Sequence, residues 1–180
     1  MKNLYLLLVV LVTSSLIAQE NLVEITLEDK LDEPRGFCLD TRGFQHRANI
    51  QDGLQTHTCY SYQGQLAIDQ AFDENLFDYG IFKLVGFEVC MSLENKVVGT
   101  NLALEDCEEV PEQSFNFGND GTIIPLLMPN HCITAGPGPS IVGGMGMSPA
   151  RHLIRSLSVE ECRQDLYYRQ QWKTRKKYDE

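Results

Sequence analysis

An all-β domain built from one motif used three times is the fold class this sequence predicts. Three observations point to it: a three-part motif recurs in the same order, apolar residues fall in short alternating runs, and turn residues punctuate those runs. The motif first reads Phe37-Cys38-Leu39-Asp40, then Leu54-Gln55-Thr56-His57-Thr58-Cys59, then Asp69-Gln70-Ala71-Phe72. It returns as Cys90-Met91-Ser92, Leu102-Ala103-Leu104-Glu105-Asp106-Cys107 and Gln113-Ser114-Phe115. The last copy is Cys132-Ile133-Thr134, Leu157-Ser158-Val159-Glu160-Glu161-Cys162 and Gln170-Gln171-Trp172. The unit is Cys-apolar-x, then apolar-x-apolar-x-x-Cys, then Gln-x-aromatic, with Thr56 at the second apolar place of the first copy.

Each element follows from local pattern. From Gly36 onward no stretch sustains a helical apolar stripe; Leu102-x-Leu104 and Ile81-x-x-Leu84-Val85 are typical of the short runs. Asp52-Gly53, Gln63-Gly64, Gly118-Asn119-Asp120-Gly121 and Pro129-Asn130 mark turns between them. Many short strands with such punctuation mean a barrel or a sandwich. Residues 113–129 show the register: Phe115 and Phe117 alternate inward, Asn119-Asp120-Gly121 reverses the chain, and Ile123 to Leu127 returns. Pro125 belongs at a strand edge or bulge, since it has no N–H for a ladder. In residues 21–34, Val23, Ile25 and Leu27 alternate with acidic residues, which suits a short strand or an extended arm; the charge places it at the surface.

With its three Gln-x-aromatic repeats, the chain resembles the ricin B-type lectins, from about Phe37 to Trp172. Only the third repeat keeps Gln-x-Trp; the first two have Gln-x-Phe. The resemblance implies a β-trefoil over residues 36–172, with repeats near 36–87, 88–130 and 131–172. Six cysteines allow 15 pairings; the repeats select Cys38–Cys59, Cys90–Cys107 and Cys132–Cys162, each closing one repeat. Phe72, Phe115 and Trp172 are then equivalent and buried.

The family's sugar site needs a carboxylate after the first Cys, an aromatic two before the second Cys, and a polar residue beside the Gln. A carboxylate accepts charge-assisted hydrogen bonds from neighbouring hydroxyls of one sugar ring. The apolar face of the ring stacks on an aromatic platform. By this resemblance the first repeat carries the site, with Asp40 as hydroxyl acceptor, His57 as platform, Gln55 and Asp69 as polar partners, and Gln70 beside them. His57 is smaller and more polar than the usual Trp or Tyr, and Tyr60 and Tyr62 stand close enough to substitute. Ser92 and Glu105 in the second repeat, and Thr134 and Glu160 in the third, leave those repeats without a site.

Residues 1–18 read as a secretory signal, with Lys2, an apolar run from Leu4 to Val12 and a small-residue exit. The run is shorter than the roughly 20 residues that cross a bilayer. The mature chain, about 160 residues, fits one domain with a sizeable core. An even number of cysteines behind such a leader implies disulfides, and none stands in a C-x-x-C that would hold zinc. The expected location is therefore extracellular, with residues 19–35 as an N-terminal arm and 173–180 as a basic, solvated tail.

A net charge of -10 argues against nucleic acid and anionic membrane as partners. Residues 135–149, an insertion rich in Gly, Pro, Ser and Met, lack a strand pattern and read as a long exposed loop. Gly143-Gly144-Met145-Gly146 lacks the Lys-Ser/Thr of a phosphate-binding loop. No motif selects a pair of glycosidase carboxylates, a nucleophile elbow or a metalloprotease helix. The expectation is a secreted, non-enzymatic protein without cofactor or metal that binds glycans or glycoproteins of a galactose type. The other reading, from a different class, is a sugar-blind trefoil acting through protein contacts; oligomeric state is left open.

Overall fold

The computed structural model describes residues 21–143 and 150–176, whose regular elements are β-strands and short 3-10 helices. The chain opens with β1 (Leu22–Leu27), then β2 (Phe37–Thr41), β3 (Leu54–Thr58) and β4 (Phe72–Asp73). The second lobe contains β5 (Lys83–Leu84), β6 (Val89–Leu93), β7 (Leu102–Asp106) and β8 (Phe115–Phe117). β9 (Ile123–Pro125), β10 (His131–Ala135), β11 (Ile141–Val142), β12 (Leu153–Arg155), β13 (Leu157–Glu161) and β14 (Trp172–Arg175) complete the order. No helix among the described residues is long and apolar enough to cross a membrane.

Each lobe is founded on one antiparallel hairpin tied by a disulfide. The bonds are Cys38–Cys59, Cys90–Cys107 and Cys132–Cys162, with Cα separations of 5.0, 5.0 and 5.1 Å. The register repeats as well. Cys38 lies opposite His57 and Asp40 opposite Gln55; Cys90 faces Glu105 and Ser92 faces Ala103; Cys132 faces Glu160 and Thr134 faces Ser158. Asp40, Ser92 and Thr134 are therefore structurally equivalent.

The glutamine of each motif explains why the motif recurs. Gln70 Oε1 accepts from Tyr60 N–H at 2.9 Å, Gln113 Oε1 from Glu108 N–H at 2.9 Å, and Gln170 Oε1 from Arg163 N–H at 3.1 Å. In return their amides donate to the carbonyls of Thr58, Asp106 and Glu161 at 3.1, 2.8 and 2.9 Å. Each glutamine thus holds the backbone on both sides of the second cysteine of its repeat, and the glutamine side chain itself is buried beneath that loop.

Phe72, Phe115 and Trp172 are buried as equivalent wedges in one core, joined by Leu39, Leu84, Met91, Leu102, Ile133 and Val159. Trp172 also donates its indole N–H to Ile133 O at 3.0 Å, so its single polar atom is satisfied inside the core. In the β8–β9 hairpin Phe115 pairs with Pro125 at the strand end, and Phe117 is half-buried rather than fully inward.

Three expectations are corrected. The N-terminal arm is no surface segment: β1 has Val23, Ile25 and Leu27 fully buried, pairing with β14, β2 and β4. Its acidic residue misled because Glu24 is paired inside, accepting from Ser61 Oγ at 2.6 Å and Arg175 Nε at 2.5 Å. The basic tail begins as strand β14, where residues 172–175 run antiparallel to β1 and close the barrel; residues 177–180 lie outside the described residues.

The insertion in the third repeat is likewise more than a loop. Within it lies β11, which pairs with β12 just beyond the insertion, and β12 pairs with β3, Ile154 opposite His57 and Arg155 opposite Thr56. Polar anchors supply what the sequence pattern lacked. Arg155 donates to Asp32 Oδ1 and Ser140 Oγ, both at 2.7 Å, and to Gly136 O at 3.0 Å. Arg35 donates to the carbonyls of Ala150 and Arg151 at 2.8 and 3.1 Å. Residues 144–149, including part of the glycine-rich run, lie outside the described residues.

Candidate functional site

The β2–β3 hairpin sets Asp40, Gln55 and His57 on neighbouring positions, and the return of the chain at residues 69–70 adds Asp69 and Gln70. All five predicted site residues come together. Gln70 Nε2 donates to Asp40 Oδ2 at 2.5 Å, Gln55 Nε2 donates to Thr41 O at 3.1 Å, and Asp69 Oδ2 accepts from Gln45 N–H at 3.0 Å. Backbone links the two parts, because Thr41 N–H donates to Asp69 O at 3.2 Å.

All five are also buried; Asp40 is 1% and His57 4% exposed. Asp40 Oδ1 and Asp69 Oδ1 are enclosed and have no hydrogen-bond partner among the described residues. Such orphaned acceptors are uncommon in folded interiors. Burial, and then the neighbouring charge of Asp69, drives the Asp40 carboxyl well above the usual carboxylate range, while the Gln70 bond opposes this. Asp69 is raised by burial against the opposing Gln45 N–H.

His57 is held neutral. Burial is the main cause and lowers its pKa to about 4, although its Nδ1–H donates to Thr58 O at 3.0 Å. Its 3.5 Å approach to Asp40 Oδ2 is therefore a polar contact and not an ion pair. The His57 ring lies 5.1 Å from Tyr60, tilted by 34°, and 5.2 Å from His152, edge-on at 82°. Tyr60 and His152 are themselves 5.0 Å apart, and Tyr62 Oη is 2.9 Å from His152 Nε2. Phe44, more than half exposed, meets Tyr60 edge-on at 6.4 Å. Tyr60 and Tyr62 were visible in the sequence as aromatic substitutes. His152 was not, because it reaches the first lobe only through the pairing of β12 with β3.

The equivalent places in the other lobes differ chemically. Thr134 Oγ1 accepts from Gln170 Nε2 at 2.9 Å and donates to Cys132 O at 2.9 Å, so its hydroxyl is used locally. Ser92 is buried, and Glu105 is exposed without an aromatic contact among those described. Glu24, Cys38 and Cys59 are the one close triad of metal-ligating residue types among the described residues. The two cysteines are bonded to each other and Glu24 is held by Ser61 and Arg175, so no thiolate pair is available there.

Two solved structures share this architecture. The agglutinin of Abrus precatorius superposes with a TM-score of 0.55 at 15% identity, over 86% of this chain and 46% of that one. The β-trefoil lectin of the Vibrio vulnificus hemolysin/cytolysin, with N-acetyl-D-lactosamine bound, gives 0.52 at 16% identity, over 91% of this chain and 99% of that one. The fold is a β-trefoil. This trefoil spans less than half the agglutinin chain. The sequence matches no protein-family model and no curated protein. At these identities the likeness establishes the trefoil alone, and the chemistry must be argued from the side chains.

Proposed function

We propose that this β-trefoil is a secreted carbohydrate-binding protein that holds a galactose-type glycan non-covalently at its first lobe. One observation carries the reading: Asp40 has one oxygen fixed by Gln70 and the other without any partner. An oxygen fixed in orientation and left unpartnered can accept a sugar hydroxyl once the side chains that enclose it move aside, and Asp69 Oδ1 offers a second acceptor beside it. Among the three equivalent positions only the first holds a carboxyl, with Ser92 and Thr134 at the others, which supports a single site. The Vibrio trefoil, which bears N-acetyl-D-lactosamine, lends the ligand class. Three disulfides suit an extracellular location, where such bonds persist.

A glycan array followed by calorimetry with N-acetyllactosamine tests the proposal. We expect one site per chain with a dissociation constant on the order of 1 mM. Asp40→Asn keeps an acceptor for Gln70 but puts an NH2 donor where the free oxygen stood, so it should abolish measurable heat while leaving the thermal transition in place. Unchanged titration by the variant, or a stoichiometry near three, would overturn the single-site reading.

The burial of Asp40 and His57 favours a second reading, a trefoil scaffold that acts through protein contacts. An array empty across all glycan classes would select it.

A further inference from the structure

His152 belongs to a different repeat from every residue of the proposed sugar site, yet its ring is placed against the platform. It precedes β12, whose pairing sets Ile154 opposite His57. Leu153 N–H donates to Thr58 Oγ1 at 2.7 Å, and that hydroxyl donates to Glu33 Oε2 at 2.7 Å. Glu33 in turn pairs with Arg35 at 2.7 Å, and Arg35 reaches the backbone just before His152. Gly143 N–H donates to His152 O at 2.8 Å, bracing the same backbone from the other side of the hairpin. The segment that carries His152 is thus bonded to the first lobe at several points, and its ring position is a property of the fold.

Of the three rings around the platform, Tyr60 comes from the first lobe's own chain and is buried beneath it, while Tyr62 lies farther out, 6.3 Å from His152. His152 is half-buried, the imidazole standing edge-on to His57 at the mouth of the cluster. A sugar that stacks on His57 needs one ring face clear. Of the two rings that flank His57, Tyr60 is buried and His152 half-buried, so a sugar approaching from solvent meets the His152 ring, and moving it gives up the contacts to His57 and Tyr60 and the hydrogen bond to Tyr62. We infer that His152, supplied by the third repeat just after its insertion, is the residue that limits the affinity of the first-lobe sugar site by occupying the approach to His57. This rests on the carbohydrate reading above. A binding-competent arrangement that must first be opened weakens apparent affinity by the cost of opening it.

The test compares wild type, His152→Ala, and His152→Ala combined with Asp40→Asn, titrated with N-acetyllactosamine in a calorimeter. His152→Ala retains the backbone bonds that anchor the hairpin. It should bind about fivefold more tightly or better, the size expected for exposing one stacking ring, and the double variant should lose that gain. Tyr62→Phe, which frees the imidazole from its hydrogen bond without removing it, should give a smaller gain in the same direction. In a parallel NMR titration, His57 of the His152→Ala protein should move up from about 4 toward an ordinary histidine value, reporting an opened ring independently of any sugar. Binding by wild type that His152→Ala leaves unchanged or weakens would overturn this inference and spare the carbohydrate reading. An opened His57 with no glycan bound by any of the proteins would overturn both.

Discussion

His57 is the residue at which the site and the stability of the trefoil meet. Burial depresses its pKa from 6.5 to about 4, so the folded state resists a proton that the unfolded chain takes up readily. The contribution is fully present above pH 6.5 and is lost as pH falls from there through 4. His152, also lowered by burial and then by the Arg35 charge, acts in the same direction. Asp40 and Asp69, both raised, act oppositely, because acid relieves the cost of their buried charge. A comparison of variants separates these effects. Between pH 7 and 4.5 His57→Gln should lose about 2 kcal/mol less stability than wild type in urea unfolding, since glutamine has no proton to exclude. Equal losses would mean that His57 is not shielded from solvent.

At the scale of elements, the three glutamines are the working parts of the repeat, and their roles have diverged. Gln113 in the second lobe bonds only backbone, Gln170 adds Thr134, and Gln70 adds Asp40. Replacing Gln113, itself buried, with Ala leaves the Glu108 N–H and the Asp106 carbonyl of the exposed loop around Cys107 without their partner. The expected loss is about 2 kcal/mol, seen as a fall of roughly 5 °C in the thermal midpoint. The sugar binding proposed for the first lobe should be unaffected, so calorimetry on the same variant distinguishes scaffold from site. A variant as stable as wild type would show that the loops after Cys107 hold themselves.

The whole molecule depends on β1 and β14, which flank the three motifs and pair with each other at the closure of the barrel. Leu27 lies opposite Trp172, the single tryptophan of the chain, so the third wedge is held by a strand outside the repeats. A protein beginning at residue 36 retains all three motifs and disulfides yet lacks that strand. It should show no cooperative thermal transition, and the Trp172 emission should be red-shifted and readily quenched by iodide. A sharp transition near the wild-type midpoint would mean that the repeats close without β1.

The repeat architecture was legible in the sequence because each hairpin, bridge and glutamine clamp is local: its parts lie within one copy of the motif, and threefold recurrence distinguishes them from chance. Asp40, Gln55, His57, Asp69 and Gln70 are grouped by the resemblance to the ricin B-type lectins, and their closeness follows from the β2–β3 hairpin and the Gln70 clamp. What the sequence could not display were interactions between distant segments. Glu24 reads as a surface charge until Arg175 is placed beside it, and the insertion reads as a loop until Asp32 and Arg35 anchor it. His152 has no pattern of its own, since it gains its position across 95 residues of chain from Thr58 and Leu153. Alternation and spacing determine which residues form a strand and a repeat. Which charges are buried in pairs, and which ring packs against His57, is decided by packing, where partners are chosen by proximity in space rather than along the chain.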